Sequence, residues 1–279
     1  MPAPPVPAGA AAWALRDAGG AEVLGCPELE GLGLDLAVTT RSGGVSVGPY
    51  RSLNLGLHVG DDPLAVVENR RRAAAVLGAT LDDLVLGAQV HGSAAAVVGD
   101  ADRGRGARSL VDAVDGADIL VTDRPGPVLA VLVADCAPIV LFDPAAGVVA
   151  TVHAGWRGTA AGAVPSALRA MAGLGARPEQ TVAGIGPAIP APAYQVGPEV
   201  AAGFRRRLGQ SAGGVLAGDG PGRWRCDLVS ANRLLLERAG IRPENVHVAA
   251  AATGPDGPFF SDRAARPCGR FALLARLRP

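Results

Sequence analysis

The fold of this chain is most tightly restricted by the stretch 128–158, VLAVLVADCAPIVLFDPAAGVVATVHAGWRG. It contains two short apolar runs rich in β-branched residues, Val128–Ala134 and Val148–Val152, with the turn-forming residues 143–147 between them. Apolar runs of this length, bounded by turn signals, are typical of buried strands. The stretch therefore predicts two buried β-strands.

Side chains able to do chemistry stand at the ends of these runs. Asp135 and Cys136 follow the first run, and His153 follows the second. A third apolar run, Val85–Val90, predicts another strand and is followed directly by His91. Strand ends are good positions for groups that share one site, so we predict that one cysteine and two histidines meet.

The residue types alone allow three interpretations of the roles of Cys136, His91 and His153. One cysteine and two histidines can bind a zinc ion and leave a coordination position free for a substrate. Alternatively, Cys136 is a nucleophile, with one histidine as its base and Asp135 as the group that orients it. In the third reading all three are ordinary core residues. Our central prediction is a single zinc ion bound by His91, Cys136 and His153.

The composition excludes several classes of protein. The chain has 279 residues, 49% of them hydrophobic, and a formal net charge of zero, which argues against a nucleic-acid binder. All 26 basic residues are arginine. Without lysine there is no Schiff-base lysine, no pyridoxal-phosphate lysine and no Walker lysine. The composition predicts a globular enzyme or binding protein with other chemistry.

Cysteine usage and hydropathy indicate the compartment. The four cysteines lie far apart and form no CxxC pair, which predicts free thiols in a reducing cytoplasm. No run reaches the roughly 18 apolar residues that a membrane helix needs. We therefore predict a cytoplasmic protein that does not bind membranes, as a monomer or small homo-oligomer.

Short strands and helices alternate along the chain. Residues 1–10 are predicted to be a disordered tail, and residues 11–279 to be a single catalytic domain. The pattern predicts helices over 64–77, 159–173, 199–208 and 227–239, with regular helix in the second of these starting near Val164 because of Pro165. It predicts further strands around Trp13 and over 34–38, 119–122, 181–185, 246–251 and 271–277, and a flexible segment over 209–222. This alternation predicts an α/β or α+β fold with mixed sheets.

Two polar segments near the start of the chain bear on ligand binding. The Gly-rich loop 39–46 would let its backbone and Arg41 approach an anion closely, although an ordinary loop with a surface arginine has the same pattern. His58 lies in a Gly-flanked turn before a predicted helix. We predict a structural role for His58 and leave it out of the metal set.

Nine short motifs occur in a fixed order: TTRSGG (39–44), SLNLGLHVGDD (52–62), QVHG (89–92), ADILVT (117–122), ADCAPIVLF (134–142), HAGWRG (153–158), GIGPAI (184–189), YQVGPEV (194–200) and FFSDR (259–263). In this order and spacing they closely resemble the YfiH-type family, whose members are called laccase-domain proteins or polyphenol oxidases. The resemblance covers roughly residues 34–277. Family members are described as purine nucleoside phosphorylases with adenosine deaminase activity.

The resemblance implies a fold, a site and a reaction. The fold would have mixed sheets flanked by helices and two similar halves, and it is also similar to the cysteine-deamidase toxin fold. The zinc ligands would be the histidine of QVHG, the cysteine of ADC and the histidine of HAGWRG, which are the three residues singled out above. The substrates would be phosphate and a purine nucleoside: adenosine, inosine, guanosine or methylthioadenosine.

Residue roles follow from this expected chemistry. Phosphorolysis needs a clamp for phosphate, and Arg41, Arg157 and Arg263 can supply bidentate contacts. We add Asn54 to the predicted substrate-binding residues. Deamination needs an activated water and a group that moves protons. Asp135 is predicted for that role beside Cys136 and Arg41 as catalytic residues, and a hydrogen bond from Asp135 to a ligand histidine is the alternative.

Other functions stay open at this point. A cysteine- or zinc-dependent amide hydrolase that edits a cell-wall precursor is one alternative, and a copper-dependent polyphenol oxidase is another. The sequence also departs from the family pattern. Ala252 stands where cysteine is usual, Pro190 follows GPAI in place of glycine, Gln195 replaces glutamate, and Asp262 stands where an aromatic residue is expected before Arg263. These departures concern the shape of the substrate loops, not the three predicted ligands.

Overall fold

Two six-stranded mixed β-sheets pack face to face and form the centre of the structure. The computed structural model describes residues 13–278, so the predicted tail over residues 1–10 lies outside the described part. The strands are β1 Ala14–Ala18, β2 Ala21–Gly25, β3 Leu34–Thr39, β4 Leu84–Leu86, β5 Ala95–Val97, β6 Ile119–Thr122, β7 Val128–Val133, β8 Ala137–Asp143, β9 Val148–Ala154, β10 Val182–Ile185, β11 Gln195–Val196, β12 Leu216–Gly218, β13 Trp224–Cys226, β14 Val246–Val248 and β15 Phe271–Leu277. The helices are α1 Pro27–Gly31, α2 Pro63–Ala75, α3 Trp156–Ala161, α4 Ala163–Ala172, α5 Pro198–Leu208 and α6 Leu228–Arg238.

Each large sheet contains both parallel and antiparallel neighbours. The first has the order β1-β2-β3-β15-β7-β4, and the second has the order β14-β10-β8-β9-β6-β5. In both sheets the inner strands pair antiparallel, while the edge strands β4, β5 and β14 pair parallel with their neighbours. A small third sheet has the order β11-β13-β12. The mixed α/β class predicted from the sequence is confirmed.

Alternation along the strands produces a layered core. In β7, Leu129 and Val131 pack between the two sheets, whereas Ala130 and Leu132 pack on the outer side with residues of α2. In β9, Val149 faces the space between the sheets, and its neighbours face α4. Because side chains alternate between the faces of a strand, a strand buried on both faces is apolar throughout. This explains the continuous apolar runs of the sequence.

The two apolar runs of the stretch 128–158 form strands of different sheets, which the sequence pattern does not indicate. Between them lies a strand that we had not predicted, β8, which pairs antiparallel with β9 over its whole length. The hairpin turn at 143–147 joins β8 to β9, and the turn at 134–136 carries the chain from the first sheet to the second. Residues 137–143 are about as apolar as the run before them. The sequence pattern therefore indicates a separate strand β8 only if a turn is recognised at Asp135.

Several other boundaries differ from the predictions. The helix predicted over 159–173 is interrupted at Gly162, whose φ of 99° is left-handed, and regular helix resumes at Ala163. The segment 209–222 was predicted to be flexible, but it contains β12. The predicted strand before His91 ends at Leu86, so His91 lies on a loop. No helix within residues 13–278 is long and apolar enough to cross a membrane.

Candidate metal centre

The structure brings His91, Cys136 and His153 together. One donor atom from each of these side chains lies within 4.8 Å of the others. The two imidazole rings stand edge to face, with centroids 4.8 Å apart and an angle of 70° between their planes. Zinc would require donors at about 2.0–2.3 Å from a common centre. Two nitrogens and one sulfur this close together fit a borderline divalent ion with one free coordination position.

His153 is fixed by a buried carboxylate. It lies in β9, opposite Pro138 of β8, and only 2% of it is exposed. Its Nδ1 lies 2.7 Å from Oδ1 of Asp118, which directs Nε2 towards the other donors. Burial lowers the pKa of His153, but the hydrogen bonds with Asp118 and Cys136 outweigh it and raise the pKa to about 9.

The same carboxylate fixes the loop of His91. Oδ1 of Asp118 accepts a hydrogen bond from the backbone N–H of His91 at 3.0 Å, and Oδ2 accepts from the N–H groups of Val90 and Gly92. His91 itself has a left-handed φ of 61°. Asp118 is fully buried, so its charge is compensated by these donors and by His153. One aspartate therefore positions two of the three candidate ligands.

Gln89 fixes the other end of this loop. Its side-chain amide donates to the carbonyl of Leu132 and accepts from the N–H of Leu132, both at 2.8 Å. This pair of bonds extends the sheet beyond β4, on the strand that leads to Cys136. The motif QVHG thus combines an anchor, a ligand and, in Gly92, a residue close to the Asp118 carboxylate.

Cys136 sits where neighbouring side chains favour its thiolate. Burial raises the pKa of the thiol, but hydrogen bonds and charge from His153 and His91 lower it to about 6. A Cβ atom at Gly155 would lie 2.7 Å from Sγ of Cys136, so only glycine leaves room there. The close approach explains the glycine of HAGWRG, and the lowered pKa suits both a metal ligand and a nucleophile.

Asp135 organises the loops around the site. Oδ1 accepts hydrogen bonds from the hydroxyls of Thr253 and Ser261, at 2.5 and 2.7 Å, and Oδ2 accepts from the N–H of Arg263 at 2.6 Å. Its φ of 91° is unusual for a residue with a side chain. Within residues 13–278, the two non-glycine residues with left-handed φ are His91 and Asp135, and strain of this kind concentrates at functional sites. The carboxylate that contacts a ligand histidine is Asp118, not Asp135.

An open cavity of about 560 Å³ contains the cluster. This volume lies in the range of about 300–1,000 Å³ that is usual for small-molecule sites. Among the predicted residues, the cavity is lined by His91, Asp135, Cys136, His153, Arg157 and Arg263. Arg157 lies over the ring of Trp156 and Arg263 over the ring of Tyr194, which gives the cavity an aromatic and cationic wall.

Arg41 and Asn54 lie elsewhere. Nε of Arg41 donates to the carbonyl of Arg51, and its guanidinium lies 4.9 Å from the centre of the Phe260 ring. Asn54 is fully buried, and its Oδ1 accepts from the N–H of Arg270 at 2.8 Å. Neither residue lines the cavity. The structure therefore does not bring these two together with the three candidate ligands.

Sequence reasoning missed several residues of the site. Asp118 belongs to the motif ADILVT, where a carboxylate directly before an apolar strand is a detectable signal. Three residues that line the cavity, His58, Arg70 and Arg270, come from a turn, a helix and a loop that are far apart in sequence. The structural role predicted for His58 is incomplete, since the residue lines the cavity. No local pattern reveals such long-range proximity.

Residues at or next to the positions that depart from the family pattern form hydrogen bonds and ion pairs in loops near the site. Asp262 forms an ion pair with Arg270 at 3.0 Å and also pairs with Arg266. Gln195 donates to the carboxylate of Asp219 at 2.6 Å. Thr253, next to Ala252, supplies a donor to Asp135. Of the positions that depart from the family pattern, Asp262 lines the cavity.

Comparison with known proteins identifies the family of the chain. The family model described as "Multi-copper polyphenol oxidoreductase laccase" matches residues 35–278. The chain is 41% identical over 228 residues to purine nucleoside phosphorylase YlmD of Geobacillus stearothermophilus, which covers 81% of this chain and 83% of that protein. It is 45% identical over 206 residues to a purine nucleoside phosphorylase of Deinococcus radiodurans, with 74% and 75% covered.

Solved structures show the same fold. The crystal structure of the hypothetical protein YfiH of Bacillus licheniformis superposes with a TM-score of 0.90 at 35% identity, covering 95% of this chain and 99% of that one. The crystal structure of YlmD from Geobacillus stearothermophilus also gives a TM-score of 0.90, at 38% identity, with 95% and 98% covered. The chain belongs to the YfiH family of laccase-like multi-copper polyphenol oxidoreductase domains.

Proposed function

We propose that this protein is a zinc-dependent purine nucleoside phosphorylase. The observation that carries the proposal is the His-Cys-His cluster inside a cavity whose walls bear arginines and aromatic rings. Purine rings stack on aromatic side chains, and phosphate binds to guanidinium groups. The names of the relatives from Geobacillus and Deinococcus support the same activity.

The proposed metal ligands are His91, Cys136 and His153. These three residues would hold a zinc ion, which would supply Lewis-acid chemistry to a bound substrate. Copper, which the family description names, is the alternative metal. Asp118 keeps Nδ1 of His153 engaged and thus leaves Nε2 for the ion.

The remaining roles fall to residues of the cavity wall. Trp156 and Tyr194 offer faces for the purine, and Arg157 and Arg263, which lie over these rings, are proposed to contact the substrate. In phosphorolysis, an oxygen of hydrogen phosphate bonds to C1′ of the ribose while the C1′–N9 bond breaks. The electron pair of that bond leaves with the purine, and the proton of the phosphate ends on the purine nitrogen. Adenosine, inosine, guanosine and methylthioadenosine are the proposed substrates.

Adenosine deamination is a further proposed activity of the same cavity. Water would replace the amino group at C6 and release ammonia, which requires a group that transfers protons. Asp135 lines the cavity and is our proposal for this group, although three donors already hold its oxygens. Conversion of adenosine to inosine with release of ammonia would support this activity.

A hydrolase that uses Cys136 as a nucleophile is the second candidate. The hydrogen-bonded series of Cys136, His153 and buried Asp118 has the order of a nucleophile, a base and an orienting carboxylate. Such an enzyme would cleave an amide, for example in a cell-wall precursor, and would need no metal. The free thiols of all four cysteines fit the reducing cytoplasm that we propose as the location.

A single set of assays separates these functions. Purified protein is analysed for zinc and copper and then incubated with each nucleoside in the presence and absence of phosphate. We expect free purine and ribose 1-phosphate only with phosphate, and loss of activity after chelation or in His91→Ala. Full activity in metal-free protein would overturn the zinc dependence, and purine release that ignores phosphate would rule out a phosphorylase. Cleavage of an amide substrate by metal-free protein, lost in Cys136→Ala, would instead favour the cysteine hydrolase.

A further inference from the structure

Arg70 is a buried cation without a carboxylate partner. It lies in α2, is 2% exposed, and makes no ion pair with any residue of the part that the structure describes. Burial lowers its pKa to about 10, and the charge of Asp112 acts weakly in the opposite direction. The group is still cationic at neutral pH. A buried charge of this kind is costly unless polar partners surround it.

Only part of its guanidinium is satisfied. Nε donates to the carbonyl of Leu55 at 2.8 Å, and Nη1 donates to the carbonyls of Gly106 and Ala107. Nη2 is buried and has no hydrogen-bond partner within residues 13–278. Arg70 lines the cavity of the metal cluster, and Nη2 is its guanidinium nitrogen that lacks an acceptor among the described residues. The two N–H bonds of Nη2 are therefore available for an acceptor that the described part of the chain does not provide.

The segment 54–58 gathers two further groups around Arg70. Asn54 accepts a hydrogen bond from the backbone of Arg270, and the N–H of Leu55 donates to the carbonyl of Arg270. His58 ends the segment and also lines the cavity. Burial lowers the pKa of His58, and the positive charges of Arg270 and Arg70 lower it further, which reflects their proximity. Three donor groups thus face one part of the cavity.

The charge of the cavity favours an anion. Its lining contains five arginines and two aspartates: Arg70, Arg157, Arg263, Arg266, Arg270, Asp135 and Asp262. Asp262 is engaged by Arg266 and Arg270, and Asp135 by its three donors. The net charge of the cavity lining is therefore positive. Among its five arginines, Arg70 is the most deeply buried. Field lines concentrate in such a cleft and attract anions.

We propose that Arg70, with Arg270 and His58, forms the binding site for inorganic phosphate. A tetrahedral oxyanion offers several acceptors and would accept charge-assisted hydrogen bonds from Nη2. Asn54 is then a positioning residue that holds Arg270 through its backbone. The inference rests on the proposed phosphorylase function, since the phosphate bound here would attack C1′ of a nucleoside held in the same cavity.

The test measures phosphate binding directly. Inorganic phosphate is titrated calorimetrically into zinc-loaded full-length protein, without nucleoside. We expect Arg70→Lys, which keeps the charge but loses the guanidinium fork, to weaken binding about tenfold or more. The matched control is Arg71→Lys, on the neighbouring exposed arginine, which should stay within about twofold of the wild type. Unchanged phosphate affinity in a folded Arg70→Lys variant would contradict the proposed phosphate site.

A second variant covers the case in which Arg70→Lys does not fold, because Arg70 also anchors the loop at Gly106. His58→Glu places a carboxylate beside Arg70 and Arg270 from an exposed position. We expect it to abolish phosphate binding at unchanged zinc content, whereas His58→Gln should lose only about threefold. Phosphate binding that survives His58→Glu would count against the proposal.

Two further outcomes separate related hypotheses. A nucleoside 5′-monophosphate is titrated in parallel, because its phosphoryl group has the same chemistry. If the nucleotide binds through Arg70 and inorganic phosphate does not, the proposed occupant is wrong. If phosphate binds through Arg70 but nucleosides are cleaved without it, the phosphate site stands and the phosphorylase function fails.

Discussion

Nδ1 of His153 lies 2.7 Å from Oδ1 of Asp118, and both side chains are buried. The same oxygen accepts a hydrogen bond from the backbone N–H of His91. A single carboxylate therefore links the ring of one candidate histidine ligand to the backbone of the second. The geometry of the cluster therefore depends on a residue that does not itself offer a ligand atom.

Replacement of Asp118 by asparagine should weaken metal binding. The neutral amide cannot compensate the histidine or accept from all the N–H groups that the carboxylate serves, so we expect zinc affinity to fall about 10–100-fold. Competition with a chromophoric chelator measures this. Asp115→Asn, on an exposed aspartate three residues away, is the matched control and should bind zinc like the wild type. Equal affinities in both variants would show that Asp118 has no role in positioning the ligands.

Cys136 should react with iodoacetamide only in metal-free protein. Its pKa of about 6 means that the thiolate fraction, and hence the alkylation rate, rises as the pH increases through that value and levels off above it. Bound zinc should block the reaction. Cys26 and Cys226 serve as internal controls, because burial raises the pKa of each to about 12. Peptide mass spectrometry reads out each site, and equal labelling of Cys136 with and without zinc would contradict its role as a ligand.

Gly155→Ala should disturb the cluster without unfolding the protein. The added Cβ would meet Sγ of Cys136 at 2.7 Å, so the thiol or the turn must move, and we expect zinc content to fall severely. Gly213→Ala is the control, since nothing lies within 4 Å of a Cβ at that position. Metal analysis and circular dichroism distinguish loss of the ion from loss of the fold. Wild-type zinc content in Gly155→Ala would contradict the close packing described above.

Arg41→Ala tests the phosphate role predicted from the Gly-rich loop. Because Arg41 contacts the carbonyl of Arg51 and the ring of Phe260, away from the cavity, we expect the phosphate KM to change less than about twofold. The loss of these contacts should instead lower the melting temperature. Steady-state kinetics at varied phosphate and thermal unfolding measure the two effects. A large increase in phosphate KM at unchanged stability would restore Arg41 to the substrate site.

Asp35→Asn should make stability less dependent on acid pH. Burial raises the pKa of Asp35, but hydrogen bonds from Arg278 and Arg276 outweigh it, so its pKa is lowered from 3.8. A lowered pKa stabilises the fold above the unfolded value, and this contribution disappears as the pH falls through the folded value. We expect the variant to lose about 1 kcal/mol of unfolding free energy at pH 7 and nothing at the lowest pH. Urea unfolding measures this, with exposed Asp256→Asn as a control that should show no such difference.

Local patterns predicted much of the secondary structure. The strand Ile119–Thr122 follows from its apolar run, and the helix after Asp62 follows from its capping residue, because each signal lies within the segment itself. β8 was missed because its segment lacks such a clear local signal. Its apolar run is interrupted by Pro138, and only pairing with β9 in the folded chain distinguishes it from part of a longer connection.

The sequence by itself determined the chemical identity of the candidate ligands. Only one cysteine and two histidines stand in motifs that end apolar runs, and their proximity in the structure agrees with that prediction. Tertiary structure alone decided which residues surround them. Arg70, His58 and Arg270 reach the cavity from separate parts of the chain, and Asp118 supports two of the ligands from behind it. Their roles depend on burial and on hydrogen bonding. These quantities arise only when distant segments pack, because the cost of a buried charge is set by its neighbours in space and not by its neighbours in sequence.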